Sequence, residues 1–420
     1  MRFALVNPNW SFEGSIYFGC REPHLPLEFG YARILLQREG HNALLLDAQM
    51  ADVSDLDVCE ILKRFQPDFT IVTTAPSYLF WRCPPPELRV PRRLIQAIRP
   101  FVDTIVAVGP HGSTTPGATL SKLDVDAVIT GECEEVIPRL ADSLQSHPSI
   151  VSKLSESFVR HTSDLGALPS LAWPDVVIAA HDHHHHRYDT PFEGTGAEME
   201  ASRGCPFHCT FCAKDNFRDA YRRRPLDAIL GELDGLLRQD VKYVYFIDEI
   251  FLPRPDLLQA LAQKKVKIGI QTRIDLWNHE MIDLLADAGC VSIEAGVESL
   301  TSQGRDLLDK KCRMTTAELS ERLIYAKRRI PFVQGNLIAL ESDDRNEIQR
   351  WRREMRDSGV WANDPVPLFP YPGSPDYTRR WGLPDDNAWE RAHSYYLSKH
   401  SELSDIQDER PIPLAELEGR

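Results

Sequence analysis

The stretch Ala201-Ser-Arg-Gly-Cys-Pro-Phe-His-Cys-Thr-Phe-Cys-Ala213 gathers three thiols, Cys205, Cys209 and Cys212, into one short loop. Thiolates are the soft ligands selected by iron–sulfur clusters and by zinc. Spacings of three and two residues let a single loop wrap one metal centre from three sides. A four-iron cluster held by three thiolates keeps one iron open to an outside ligand, whereas a structural zinc site closes with a fourth Cys or His. His208 lies within the loop but is adjacent to Cys209 and poorly placed to reach the same ion.

Outward from the loop, Ala197-Glu-Met-Glu-Ala201 reads as the strand that feeds it, and strands then alternate with helices. Helices are expected over 225–237, 256–263, 279–288, 316–328 and 344–356. Strands are expected over 243–247, 268–272, 291–295, 333–340 and 365–369. Six strands with interposed helices predict an open, partial (β/α)6 barrel over residues 197–385. Barrel active sites sit at the carboxyl ends of the strands, where the Cys loop, Asp248, Glu249, Arg273 and Glu298 converge. Taken singly, each of these charged residues is equally compatible with a surface ion pair or a helix cap.

Upstream, residues 1–145 alternate continuous apolar strands (3–8, 41–48, 69–74, 104–108, 127–130) with helices (25–39, 55–65, 91–98, 118–123, 134–144). Apolar strands separated by helices imply a parallel sheet covered on both faces, here an α/β, doubly wound, flavodoxin-like domain. Such sheets bind ligands at the carboxyl ends of their strands. That makes Asn7, Thr74, Ala75, Gly109, His111, Gly131 and Glu132 the candidate contacts. Between 146 and 196, Pro148, Pro169, Pro174 and Pro191 interrupt any long helix, and the segment reads as a linker. It contains His181-Asp-His-His-His-His186, a tract of a kind that binds divalent metal. No Cys or spaced carboxylate completes a cage, so it reads as an interdomain loop of polar side chains or as imidazoles edging an active-site mouth. Residues 386–420 read as a C-terminal helix with aromatic residues, followed by a tail.

Composition limits the partners. The chain has 420 residues, 42% hydrophobic and 26% charged, with a net charge of −14, which suits a globular protein of two domains. The one local basic run, Arg222-Arg223-Arg224, makes no stripe for nucleic acid, so a small-molecule substrate is expected. No apolar run reaches the roughly 20 residues of a membrane span, and a cytoplasmic location is expected. Nine cysteines, six of them scattered, are not a disulfide framework. They fit a reducing compartment.

The Cys-x-x-x-Cys-x-x-Cys spacing, with Phe211 before the last Cys and Ser-Arg-Gly in front, resembles the cluster loop of the radical S-adenosylmethionine (radical SAM) superfamily. The resemblance implies a 4Fe-4S cluster on Cys205, Cys209 and Cys212, with the fourth iron chelated by SAM. An electron from the cluster splits SAM to methionine and a 5′-deoxyadenosyl radical. It also implies an external reductant such as flavodoxin or ferredoxin. Phe246-Ile-Asp-Glu-Ile-Phe251, Gly-Val-Glu-Ser after the fourth strand and Tyr-Pro-Gly-Ser-Pro after the sixth are similar to motifs of its cobalamin-dependent members. SAM contacts are thereby implied for Phe211, Asp248, Glu249, Arg273 and Glu298. Strand five lacks the usual Gly-x-Pro. In the N-terminal domain, Pro-Leu-Glu-Phe-Gly-Tyr-Ala, Gly-Pro-His and Gly-Glu-x-Glu resemble the cobalamin-binding domain fused to many such proteins.

The Asp-x-His-x-x-Gly loop that supplies a cobalt-ligating His is absent, so cobalamin is expected base-off, its lower face towards Thr74 to Ser77. The expected activity is methyl transfer to an unactivated carbon of a small metabolite, with no catalytic residue assigned. Its rivals are a cobalamin-retaining enzyme that cyclises, oxidises or transfers another SAM fragment such as aminocarboxypropyl, and a noncatalytic cobalamin sensor or scaffold.

Overall fold

In the computed structural model, which describes residues 1–10, 23–77, 84–155, 157–181, 194–217, 220–403 and 412–414, the apolar runs of the N-terminal third form parallel strands. In chain order they are β1 (Arg2–Asn7), α1 (Leu27–Arg38), β2 (Asn42–Asp47), α2 (Asp55–Phe65), β3 (Phe69–Thr73), α3 (Arg89–Ile98), β4 (Thr104–Val108), α4 (Pro110–Thr114), α5 (Pro116–Leu123) and β5 (Ala127–Ile129). The sheet order is β2-β1-β3-β4-β5, extended by β6 (Ile150–Ser152), which runs antiparallel to β5. The order reverses direction between β1 and β3, the position at which open α/β sheets form a ligand crevice. Side chains alternate across the sheet. Ala4, Val6, Val72, Ala107 and Val128 pack in one cluster with Val58, Leu62, Leu94, Ile98 and Leu120 of α2, α3 and α5. Their neighbours Phe3, Leu5, Ile71 and Val106, on the opposite face, are equally buried. Helix α2 begins on a capping box, with Ser54 and Asp57 satisfying each other's backbone N–H.

Two expectations are corrected here. The predicted helix over 134–144 is a 3-10 turn at Ile137–Ala141, because Pro138 near its start lacks the N–H that a longer helix needs. The expected linker is part of this fold. Ile150–Ser152 completes the sheet edge, His161 bridges to Gly131, and α6 (Asp175–Ala180) follows. Its apolar stretch is too short to announce a strand, yet β5 offers an edge that it satisfies. The first unit comprises Met1–His181, Ala213–Asp219 and Pro370–Tyr396. The second takes Asp182–Cys212, Ala220–Phe369 and Leu397–Arg420.

The second unit contains β7 (Thr195–Met199), the short antiparallel pair β8 (Ser202–Arg203) and β9 (Arg222–Arg223), α7 (Leu226–Arg238), β10 (Val241–Phe246), α8 (Pro255–Leu261), β11 (Lys267–Thr272), α9 (His279–Asp287), β12 (Cys290–Glu298), α10 (Ser302–Leu307), α11 (Thr316–Arg329), β13 (Phe332–Leu337), α12 (Arg345–Asp357) and β14 (Trp361–Ala362). Its six-stranded sheet is ordered β14-β13-β12-β11-β10-β7, all pairs parallel, so each strand lies beside the one before it in sequence. That is the wiring of a (β/α) barrel. The sixth strand is Trp361–Ala362 rather than 365–369. Pro365 and Pro367 cannot donate to a ladder, and only Val366 bridges, to Ile338.

Two helices follow, α13 (Pro375–Trp381) and α14 (Ala388–Lys399). The Tyr-Pro-Gly-Ser-Pro stretch leads into α13, where Ser374 accepts the N–H of Tyr377. No helix among the described residues is long and apolar enough to cross a membrane.

Candidate active site at the strand ends of the second unit

In this sheet Met199 pairs with Phe246, Phe246 with Ile270 and Ile270 with Ile293. The residues that follow these positions therefore emerge along one edge, the carboxyl edge. They are the Cys loop after β7, Asp248-Glu249 after β10 and Arg273 after β11, with Glu298 ending β12.

The loop is held by carboxylates of the next strand. Asp248 accepts the Ala201 N–H at 2.8 Å and the Ser202 hydroxyl, one on each oxygen. It is 2% exposed, and burial pushes its carboxyl up to about 7, against the pull of these two hydrogen bonds. Glu249 accepts the Gly204 N–H at 2.9 Å, where the chain turns through a positive φ of 76°. Beneath them Arg203 donates to Glu200 at 2.7 Å in a fully buried pair. Asp248, expected to meet the cofactor, thus positions the loop.

Cys205, Cys209 and Cys212 are each partly exposed, and the N–H of Cys212 bonds the Cys209 carbonyl at 3.1 Å. Phe211 between them is half-buried and His208 is exposed. Burial pushes the Cys209 thiol up to about 11, opposed by the cations of Lys310 and Arg273. Among the described residues no three His, Cys, Asp or Glu side chains converge closely enough to hold a single metal ion. A 4Fe-4S cluster takes each of three thiolates on a different iron.

Arg273 grips Asp275 through two bonds, Nε at 3.1 Å and Nη2 at 2.8 Å, and its guanidinium stands 4.0 Å from the centre of the Phe207 ring of the Cys loop. Its Nη1 is buried with no hydrogen-bond partner among the described residues. A fixed guanidinium with one open donor beside the Cys loop fits the carboxylate of an amino-acid ligand such as SAM. Glu298 has a left-handed backbone, φ 68°, and pairs with Lys310, whose Nζ lies 2.8 Å from its carboxylate and 3.0 Å from the Gly296 carbonyl. Lys310 is 1% exposed and was missed in the sequence, where it stands in an unremarked Asp-Lys-Lys-Cys run.

At the strand ends of the first unit the candidate residues are largely engaged with one another. Asn7 donates to Asp47 at 2.9 Å and accepts from Trp10 at 2.9 Å and Thr73 at 3.2 Å. Gly131 has φ 82°, and a Cβ there would lie 2.3 Å from the His161 carbonyl oxygen, so its space is closed by the chain itself. Glu132 accepts the Ser163 N–H at 2.6 Å. Gly109, at φ 126°, precedes α4. His111 lies 2.9 Å from the Pro85 carbonyl and its ring packs 4.3 Å from Trp389. Burial holds it down to about 3, so it stays neutral. Ala75 is buried, and Thr74 is buried with its hydroxyl unpartnered among the described residues. Beside His111 opens a cavity of about 580 Å³, lined in part by Thr115, Thr119, Lys122, Trp389 and His393. His183 to His186 lie outside the described residues.

Residues 199–354 match the family model of the radical SAM superfamily. The chain is 23% identical over 400 residues to an uncharacterized methyltransferase of Pyrococcus horikoshii, across 91% of this chain and 82% of that protein. It is 23% identical over 381 residues to the anaerobic magnesium-protoporphyrin IX monomethyl ester cyclase of Rubrivivax gelatinosus, across 85% of this chain and 66% of that protein. Among solved structures it is similar to the radical S-adenosylmethionine methyltransferase TsrM from Kitasatospora setae, with cobalamin and a 4Fe-4S cluster bound. The TM-score is 0.67 at 18% identity, covering 89% of this chain and 73% of that one, a likeness of fold.

Proposed function

We propose that this chain, whose residues 199–354 match the radical SAM superfamily model, is a cobalamin-dependent radical SAM enzyme that transfers a methyl group from SAM to an unactivated carbon of a small molecule. The observation that carries this reading is the Cys205–Cys209–Cys212 loop facing an Arg273 guanidinium with one open donor. When bound, the cluster supplies the electron that cleaves SAM, and cobalamin supplies the transferable methyl. The protein's share is positional. Asp248 and Glu249 fix the loop through the backbone of Ala201 and Gly204. Arg273, locked by Asp275 and Phe207, would hold the SAM carboxylate, and the Lys310–Glu298 pair would present a carboxylate to the SAM ammonium.

Cobalamin binding is supported by the flavodoxin-like strand order of the first unit, by its unpartnered Thr74 hydroxyl and by its cavity. The neutral His111, committed to the Pro85 carbonyl, supports a corrinoid with no protein imidazole on cobalt. A cytoplasmic setting with a flavodoxin or ferredoxin as electron donor completes the reading.

The cyclase among the relatives favours a second reading, in which cobalamin is retained and SAM cleavage drives ring formation without methyl transfer. Anaerobically reconstituted protein, given a reductant and SAM labelled in its methyl group, separates the two by mass spectrometry. Label in the product together with 5′-deoxyadenosine supports methyl transfer. Unlabelled product alongside 5′-deoxyadenosine supports cyclisation, and no 5′-deoxyadenosine overturns both.

A further inference from the structure

The face of the second unit's sheet that points away from its helices carries a set of polar side chains that the site above does not use. Gln271 pairs beside Glu294, and Glu294 beside Gln334. Paired residues on neighbouring parallel strands point to the same face. That face is set by the residues between them. Thr272 accepts from Trp277 at 2.8 Å, and a Cβ on Gly335 would meet Leu323 of α11 and Trp351 of α12, so Thr272 and Gly335 face the helical layer. Strands about 4.8 Å apart make the Gln-Glu-Gln row roughly 10 Å long. Ser292, two residues before Glu294, and Asn336, two after Gln334, extend it in the strand direction, and Gln334 donates to Asn336 at 2.7 Å. Asn363 follows β14 directly.

Several of these groups are buried and unanswered. Ser292 is 0% and Asn363 2% exposed. The Ser292 hydroxyl, both the amide nitrogen and the carbonyl oxygen of Asn363, and the Gln271 carbonyl oxygen have no hydrogen-bond partner among the described residues. Buried polar groups in folded proteins are almost always paired, so an unpaired set on one face marks where a polar ligand belongs. Carboxamides offer a donor and an acceptor side by side. They match a ligand with the complementary pair and gain nothing from a hydrocarbon. The set contains no cation, which disfavours phosphorylated or polycarboxylate ligands.

The geometry points to a substrate-binding row that takes a neutral small molecule carrying an N–H donor next to a carbonyl or ring-nitrogen acceptor: an amide, a lactam or a nitrogen heterocycle. This rests on the reading of the unit as a radical SAM barrel, whose substrate occupies its strand-end interior. Gln271 and Asn363 bracket its amide edge, with the Ser292 hydroxyl on the same face.

The test uses anaerobically reconstituted full-length protein and four probes followed by saturation-transfer NMR titration: 2-pyridone, N-methyl-2-pyridone, phenyl phosphate and toluene. The expected result is that 2-pyridone binds at least about tenfold more tightly than the other three, and that Gln271→Met and Asn363→Leu each weaken it about tenfold, the scale of one lost hydrogen bond to a specific edge. Gln271→Met nearly conserves length and volume, so its outcome does not depend on Asn363→Leu folding. The inference is overturned if 2-pyridone does not bind, if phenyl phosphate or toluene binds as well, or if Gln271→Met leaves 2-pyridone affinity unchanged. Formation of 5′-deoxyadenosine by the same wild-type preparation reports on the proposed function separately. Failure of that assay with the probe ranking intact counts against the reaction and not against the row.

Discussion

At the strand ends of the first unit, Asn7 is held by Asp47, Trp10 and Thr73, Glu132 by Ser163, and Gly131 by the backbone of His161. At the strand ends of the second, Arg273 is locked on two sides yet its Nη1 has no partner among the described residues, and three thiols stand partly exposed. Both edges are carboxyl ends of parallel strands, and both attract polar residues. The difference lies in residual capacity. A polar side chain whose bonding is completed by its own fold serves stability, whereas one fixed in place with a bond left over serves a ligand. Position on the sheet locates a region, and the count of unmet bonds identifies the residues.

This contrast breaks most visibly at the thiols. Replacing any one of Cys205, Cys209 and Cys212 with Ala is expected to abolish SAM cleavage and to remove iron from the reconstituted protein, with the melting temperature of the first unit unchanged. Iron analysis and 5′-deoxyadenosine chromatography check it.

Gly131→Ala probes the opposite kind of residue. With φ at 82° and a Cβ 2.3 Å from the His161 oxygen, the substitution is expected to cost about 3 kcal/mol of stability. Denaturant unfolding measures it, and a variant as stable as the wild type would return Gly131 to the list of ligand contacts.

Arg273→Lys keeps a cation for Asp275 but removes the open Nη1. Loss of one charge-assisted bond to SAM, about 2 kcal/mol, raises the KM for SAM roughly 30-fold at unchanged iron content. A change confined to stability would make Arg273 a structural residue like Asn7.

Asp248 acts through pH. Its carboxyl is raised to about 7 by burial, so the folded state holds a proton that the unfolded state releases near pH 4. Between those values the unfolded form binds fewer protons, and stability therefore falls as pH rises, by at most about 1.4 kcal/mol per pH unit, and levels off above pH 7. Asp248→Asn is expected to remove this component of the slope, which urea unfolding at pH 5 and pH 7 reads as a smaller difference than in the wild type.

Much of the second unit was legible in sequence because its logic is local. The thiol spacing, the acidic pair closing β10 and the Arg closing β11 all sit immediately after apolar runs. Lys310 was not legible, because it reaches Glu298 and Gly296 across the intervening helix α10 and no spacing rule links them. The Gln271–Glu294–Gln334 row was equally hidden, since its meaning arises from the register between strands about twenty to forty residues apart and not from any one strand. In the first unit the strands were readable, but the fates of Gly131 and Glu132 were set by residues 150–163, whose short, proline-bounded pattern gives no sign that they return to the sheet edge. Proline also misled in two places, by turning an expected helix at Pro138 into a 3-10 turn and by leaving Pro365 and Pro367 out of the sixth strand.

The central claim is that three thiolates leave one metal position for SAM, and electron paramagnetic resonance of the anaerobically reconstituted, reduced protein tests it most directly. The account predicts about four irons per chain and a reduced-cluster signal that changes when SAM is added and is absent in Cys209→Ala, which holds no cluster. A protein that instead contains one zinc ion, with all its ligands supplied by side chains and no signal to perturb, would contradict it.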